Sequence, residues 1–247
     1  MSMTDSLHIL WPAFIAGALV LATHVALGRQ VLKRGIIFID LAVAQAAATG
    51  ALASQILLGD AAAIWQQTGA LLAALLMAVS LHALSKRHAH IQEALIGGSY
   101  ILLASFAVLL VSHDPHAGEY LHQALSGQIL WVTPEQLVWL AVASMVVVAM
   151  MRYGKQELSR FYLPLAIAVT GAVQTVGVYL VFASLIFPAL ASIRLSDASG
   201  IVRGLLVGTA GLVSGLTISL LADLPSGPTI VITLAISAAV AARSNRQ

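Results

Sequence analysis

The chain has 247 residues, of which 60% are hydrophobic and 9% are charged, and its mean hydropathy is +0.94. Soluble domains carry about 25% charged residues, so this composition excludes a soluble domain and predicts a single transmembrane domain over residues 1–247. The absence of cysteine excludes disulfides and thiolate metal sites. A formal net charge of +2 indicates basic loops rather than a nucleic-acid partner.

Apolar runs follow one another along the chain, each near the ~20 residues that one bilayer crossing needs. Backbone polar groups must be satisfied internally in lipid, and the runs lack period-two alternation, so helices are predicted rather than a barrel. The predicted fold class is an all-α polytopic membrane helix bundle. About eight spans are expected, at residues 9–28, 36–58, 62–84, 91–112, 130–151, 161–176, 202–222 and 225–242.

The twelve Lys and Arg residues lie only in alternate connections between these spans. The intervening connections carry acids instead, among them Asp60, Asp114 and Asp223. Lys and Arg accumulate in the cytoplasmic loops of membrane proteins. The pattern therefore predicts a multi-pass protein of the plasma (inner) membrane, with its N-terminus outside and its C-terminus in the cytoplasm.

The apolar run from Phe161 to Ile193 is too long for one crossing and has positive charges beyond both ends. Because both ends should face the cytoplasm, we expect a hairpin that turns near Thr175-Val176-Gly177 and returns as a short, broken or re-entrant segment at 177–190. An amphipathic stretch follows at residues 188–204, at the cytoplasmic face, and is expected to contact a partner protein. The residues expected to act there are Pro188, Ala191, Arg194 and Asp197.

The common motifs of hydrolytic enzymes are absent from the sequence. There is no G-x-x-x-x-G-K-[ST] phosphate loop, no H-E-x-x-H zinc helix and no G-x-S-x-G nucleophile elbow. The chain is therefore not expected to be an enzyme, and no catalytic residue is proposed. If transport is driven by ATP, a separate subunit must hydrolyse it.

The segment VGVYLVFASLIFPALASIRL resembles the signature of permeases of metal-ion ABC importers, of the type that takes up zinc and manganese. Other segments resemble the same family in the same order, and together they cover most of the chain. They are GRQVLKRGIIFIDLAVAQAAATG, IQEALIGGSYILLASFAVLL, LSGQILWVTPEQL and SGLTISLLADLPSGPTIVI.

This resemblance implies a homodimeric permease with a cytoplasmic ATPase docked on each copy and an extracytoplasmic metal-binding protein. Zinc or manganese would be carried as substrate, with no stably bound cofactor. The coupling helix of the family falls on Pro188–Gly204. The family commonly starts its second span with Gly-Asp and has a His four residues after the Asp, whereas this chain has Ile39-Asp40 and Gln45. Its loop Tyr153–Arg160 is also shorter than is usual in the family.

Asp40 and His24 are the ionisable residues that lie well inside predicted spans, at similar depth. An acid there costs roughly 2.5–3.5 kcal/mol on insertion scales, so it needs a partner, a pore or a proton. Carboxylate and neutral imidazole together suit zinc or manganese, and we expect them to form a weak metal site. Hydrogen bonding within the bundle is the alternative for both. Gln45 is offset from Asp40 by about 140° and would contribute only in an irregular helix or a wide pore.

Two further candidate sites lie on the predicted outer side. Asp223, in a Pro- and Gly-rich turn, could attract cations at the mouth of the path or cap the eighth span. A polar cluster in the longest outer loop could hold metal transiently or could be an ordinary solvated loop. This cluster consists of His113, Asp114, His116, Glu119 and His122.

Two other functions fit the sequence less closely. A permease for iron chelates or cobalamin-like ligands would need a wide cavity without ligating carboxylates. A stand-alone secondary transporter could use Asp40 as a proton-linked group, but such folds often have inverted repeats with paired broken helices. The sequence shows a single such hairpin.

Overall fold

The computed structural model describes residues 3–58, 63–110, 127 and 129–243, and almost all of them are helical. These residues contain no strand, which confirms the all-α prediction. The nine α-helices of the described part are α1 (Met3–Arg34), α2 (Ile39–Leu58), α3 (Ala63–Arg87), α4 (Gln92–Leu110), α5 (Pro134–Tyr153), α6 (Leu163–Val176), α7 (Val178–Ser192), α8 (Asp197–Ala222) and α9 (Ser226–Arg243).

Seven of these helices are long and apolar enough to cross a membrane: α1 to α5, α8 and α9. They coincide with seven of the predicted spans, so the polytopic membrane bundle is confirmed. The remaining predicted span, residues 161–176, corresponds to α6, which has 14 residues. A π-helical turn, Leu158–Tyr162, leads directly into it and lengthens the helical segment.

The hairpin predicted from the charges turns at Gly177, as expected. Helix α6 ends at Val176 and α7 begins at Val178, while Gly177 adopts φ 80° and ψ 161°. A residue with a Cβ rarely adopts this conformation. The returning segment is one continuous helix of 15 residues, and Pro188 lies inside it without ending it.

The predicted coupling segment 188–204 does not form a helix of its own. It comprises the last turn of α7, a short connection at residues 193–196 and the first turns of α8. Helix α8 then continues for 26 residues to Ala222. A displacement of this connection would therefore act directly on α7 and α8.

Helix α1 occupies the centre of the bundle. It packs against α5, α6, α7 and α8, whereas α2 packs mainly against α3, α4 and α6. Val25, Leu27 and Val31 of α1 are fully buried. Helix α9 completes the structure by packing along α8 and α7.

The connections that carry Lys and Arg lie at one end of the bundle, which we call the basic end. Lys33 Nζ at the end of α1 donates to Asp197 Oδ1 at the start of α8 over 2.5 Å. Arg34 Nε donates to Glu157 Oε1, in the connection before α6, over 3.5 Å. The charge pattern of the sequence thus corresponds to a physical end of the molecule.

Candidate functional site

Asp40 lies in the first turn of α2, at the basic end, because this helix begins at Ile39 rather than at residue 36. The residue is 1% exposed, and neither carboxylate oxygen has a hydrogen-bond partner among the described residues. The N-terminus of a helix favours a negative charge, which is a structural reason for an acid here. The backbone N–H groups of Asp40 and Leu41 lie near the carboxylate, but neither buried oxygen has a partner with hydrogen-bond geometry among the described residues, so both are available to a cation.

Glu93 is a second acid at the same place, and it is not among the site residues predicted from the sequence. Its Oε1 accepts a hydrogen bond from the backbone N–H of Phe38 over 3.2 Å, just before α2 begins. Its Oε2 is buried and has no partner among the described residues. The carboxylate is close enough to Asp40 for the two charges to interact. The available signal was its position at the start of the fourth span, in the segment IQEALIGG.

His24 is fully buried in α1. Its Nδ1 lies 2.9 Å from the carbonyl oxygen of Val20 and 3.1 Å from Thr23 Oγ1. A carbonyl can only accept, so Nδ1 carries the hydrogen and Nε2 keeps its lone pair. Nε2 is buried without a partner in the described part of the chain. A backbone carbonyl on one ring nitrogen and a free lone pair on the other is the arrangement of a metal-binding histidine.

The structure does not bring His24 and Asp40 together. They lie on α1 and α2, which pack mainly against other helices, and no hydrogen bond joins the two side chains. Among the described residues, no group of three or more His, Asp or Glu side chains is placed to hold a metal ion. The joint metal site of His24 and Asp40 therefore stays a prediction.

The other predicted metal residues are placed as follows. Gln45 donates from Nε2 to Thr49 Oγ1 over 3.4 Å on its own helix. Asp223 is exposed and is the C-cap residue of α8, with φ 51°. Any capping role of this residue therefore belongs to the end of α8 rather than to the start of α9. The outer cluster, His113, Asp114, His116, Glu119 and His122, lies outside the described residues.

The predicted coupling residues divide into a buried and an exposed pair. Pro188 and Ala191 are buried in α7, whereas Arg194 and Asp197 are exposed. Asp197 accepts hydrogen bonds from Lys33 and, over 3.4 Å, from Arg29 Nη2. The exposed pair is thus at the surface of the basic end, and Asp197 is held there by α1.

Arg29 is the main organising residue of this region, although in the sequence it is only one of the twelve Lys and Arg residues that indicate orientation. It is 3% exposed. Its guanidinium donates to the carbonyl of Ser192, and to those of Leu195 and Ser196 over 3.0 and 3.2 Å. These carbonyls end α7 and form the connection to α8. The signal in the sequence was that apolar residues, Val31 and Leu32, follow Arg29, which places it inside the first helix.

A recess of about 590 Å³ opens beside this cluster, between α1, the connection before α6 and the start of α8. Its charged lining residues are Arg29, Lys33, Arg34, Lys155 and Arg160, with the acids Glu157 and Asp197. Both acids are already bonded to cations of α1. The excess of positive charge repels metal cations, so this recess suits an acidic partner rather than a metal path.

A model of the ABC-3 family, described as the ABC 3 transport family, matches residues 6–244. The chain belongs to the ABC-3 family. This finding confirms the resemblance to ABC permeases: the ABC-3 chain is a multi-pass permease component of an ABC transporter.

Individual relatives of this ABC-3 chain are distant in sequence. A protein of Chlamydia trachomatis serovar D named "Probable metal transport system membrane protein" is 24% identical over 219 residues, 75% of each chain. The solved structure of PsaBC from Streptococcus pneumoniae in complex with Fab has a TM-score of 0.77 and 22% identity, over 96% of this chain and 93% of the other. An inward-facing ABC transporter assigned to the metal-chelate type has a TM-score of 0.67 and 17% identity, over 99% and 90%. The two structural likenesses show a shared fold.

Proposed function

We propose that this ABC-3 chain is the permease of an ATP-driven importer of divalent metal ions, with zinc or manganese as substrate. The observation that carries the proposal is Asp40, a buried carboxylate with two unpartnered oxygens in a transport family. The name of the Chlamydia relative supports a metal as the transported species. Carboxylate oxygen together with imidazole nitrogen suits zinc or manganese.

In this proposal the metal is a passing substrate rather than a resident cofactor. Asp40 offsets part of the hydration that the ion loses on entering the bundle, and Glu93 adds to the negative potential. His24 supplies a nitrogen ligand from Nε2 at a separate step of the path. Binding at such a site must be weak, because conduction requires that the ion leave again.

The partners follow from the family and from the basic end. A separate ATPase docks on the coupling segment 188–204, and the basic recess beside it accepts an acidic part of that subunit. An extracytoplasmic metal-binding protein delivers the ion at the opposite end. The complete permease is a homodimer, with each N-terminus outside and the basic end in the cytoplasm.

The test is metal uptake by the reconstituted permease and its ATPase, comparing the parent with Asp40→Asn. This substitution keeps the shape of the side chain and removes its charge. Uptake of zinc or manganese should therefore fall by about tenfold or more, which corresponds to a loss of ~1.4 kcal/mol in the free energy of metal binding. His24→Ala should reduce uptake less, because it removes one neutral ligand.

The matched control is Glu135→Gln, which also removes an acid from the first turn of a helix, in this case an exposed one on α5. Uptake by this control should equal that of the parent. Parental uptake by Asp40→Asn would show that the acid is structural and that the metal binds elsewhere.

A permease for metal chelates, the alternative that the sequence left open, is not favoured, because the chelate-type transporter shares only the fold with this chain, at 17% identity. Uptake of a preformed iron chelate, unaffected by Asp40→Asn, would favour it over import of the free ion. Membership of the ABC-3 family does not favour the stand-alone secondary transporter, which would work without ATP.

A further inference from the structure

Helices α1 and α8 pack in a regular register: one close contact, here called a layer, recurs every four residues, starting at the coupling segment. A Cβ built at Gly200 of α8 would overlap the guanidinium of Arg29. One built at Gly204 would lie 2.5 Å from Val25 Cγ1, and one at Gly208 would lie 2.7 Å from Leu21 Cδ2.

The next layer of the same register has the glycine on the other helix. A Cβ built at Gly17 of α1 would lie 2.5 Å from Leu212 Cδ2 of α8. Positions four residues apart lie on one face of a helix, so four successive layers join the same two faces in antiparallel order. Every layer pairs a side chain with a glycine, and neither helix can slide without a steric clash.

Further contacts join α1 to α7 and to the connection that follows α7. Arg29 bonds the carbonyls of Ser192, Leu195 and Ser196, which end α7 and form the connection to α8. A Cβ built at Gly28 would overlap the carbonyl oxygen of Leu185 in α7. The connection 193–196 is therefore attached to α1 by a buried cation, in addition to its covalent links to α7 and α8.

From these contacts we propose that α1, α8 and the connection 193–196 move as one rigid body, with Arg29 as the positioning residue that joins them. The inference rests on the proposed function, in which an ATPase displaces the coupling segment. Such a displacement would be transmitted along α1 to His24, the neighbour of Val25 in the register. Arg29 touches no substrate in this scheme and acts through the carbonyls that it holds.

The experiment measures metal uptake and ATP hydrolysis in the same proteoliposomes, with the full complex of permease, ATPase and metal-binding protein. Gly200→Ala displaces the guanidinium without removing its charge, and Arg29→Lys keeps the charge but loses the multiple planar donors. The control is Gly98→Ala in α4, where an added Cβ meets nothing within 4 Å.

We expect Gly200→Ala and Arg29→Lys to retain the ATPase subunit and its rate of ATP hydrolysis. The metal transported per ATP should fall at least about fivefold, which is the lower end of the typical coupling between two sites in a protein. The control should keep the parental ratio. If Arg29 merely caps α7, the two variants lose thermal stability but keep the parental ratio, and the proposal is wrong.

A second measurement does not depend on how well these variants fold. The chain has no cysteine, so Gly17→Cys with Leu212→Cys places a single pair across the register. Because the two helices move together, oxidation of this pair to a disulfide should leave uptake unchanged relative to the reduced protein. A loss of uptake on oxidation, reversed by reduction, would show relative motion and overturn the proposal. A parent complex that transports no metal with ATP would contradict the proposed function instead.

Discussion

Buried polar atoms without a hydrogen-bond partner are concentrated on a few side chains of the described residues: Asp40, Glu93, His24 and His82. Leaving such a group unsatisfied costs about 1–3 kcal/mol, and more when it is charged. Proteins retain groups of this kind where water, an ion or a ligand satisfies them at some stage. Under the function proposed above, a passing divalent cation is what would satisfy the carboxylates of Asp40 and Glu93 and, at a separate step, the imidazole of His24.

Glu93 offers a test that separates charge from hydrogen bonding. Glu93→Gln keeps an oxygen that can accept from the Phe38 N–H but removes the charge beside Asp40, so thermal stability should persist while metal uptake falls. Glu93→Ala also removes the acceptor and should lower the free energy of unfolding by about 0.5–1.5 kcal/mol. Thermal unfolding and vesicle uptake measure the two effects. Equal uptake by Glu93→Gln and the parent would exclude Glu93 from the metal path.

The residues of the candidate site were predictable to different degrees. Asp40 and His24 could be identified because a charged or imidazole side chain inside an apolar run is conspicuous in the sequence alone. Glu93 and Arg29 could not be placed, because their significance comes from partners far along the chain. Arg29 bonds carbonyls that lie 163 to 167 residues away, and no local pattern encodes that distance.

At the level of elements, the hairpin of α6 and α7 depends on one backbone conformation. Gly177 has φ 80° and ψ 161°, and a Cβ at such dihedral angles is strained. Gly177→Ala should therefore lower the free energy of unfolding by about 1–3 kcal/mol. Thermal unfolding in detergent measures the loss.

The matched control for this prediction is Gly171→Ala in α6. An added Cβ there would meet Ala143 and Leu140 at 3.4 and 3.7 Å, which are contact distances that a small shift accommodates. This variant should be as stable as the parent. Equal stability of the two variants would show that the turn relaxes without cost.

Elements were predicted best where hydropathy alone defines them. The seven long helices and the turn at Gly177 follow from apolar length and charge alternation. The π-helical turn Leu158–Tyr162 could not be predicted, because it differs from an α-helix only in its hydrogen-bond spacing. The sequence predicted a broken segment at Pro188, whereas α7 continues through this residue. A proline is tolerated inside a membrane helix when neighbouring groups satisfy the freed carbonyl, and the sequence alone does not show those neighbours.

At the level of the whole molecule, the basic end predicts the orientation in the membrane. Cysteine at Asp223, exposed in the turn between α8 and α9, should react with an impermeant thiol reagent in intact cells. Cysteine at Ser196, exposed at the basic end, should react only after permeabilisation. The parent chain has no cysteine and is the unlabelled control. The opposite labelling pattern would reverse the orientation.

The bonds of Arg29 also constrain the order in which the protein is assembled during synthesis. Helix α1 leaves the ribosome before α7, and the carbonyl of Ser192 that receives the guanidinium of Arg29 is made 163 residues after it. Until then a cation near the end of the first span has no protein partner and must remain in contact with headgroups or water. Helix α1 is therefore inserted before α7 but reaches its final position only after α7 has been made. Chains that stop before Ser192 should leave α1 unanchored and be cleared by membrane quality control.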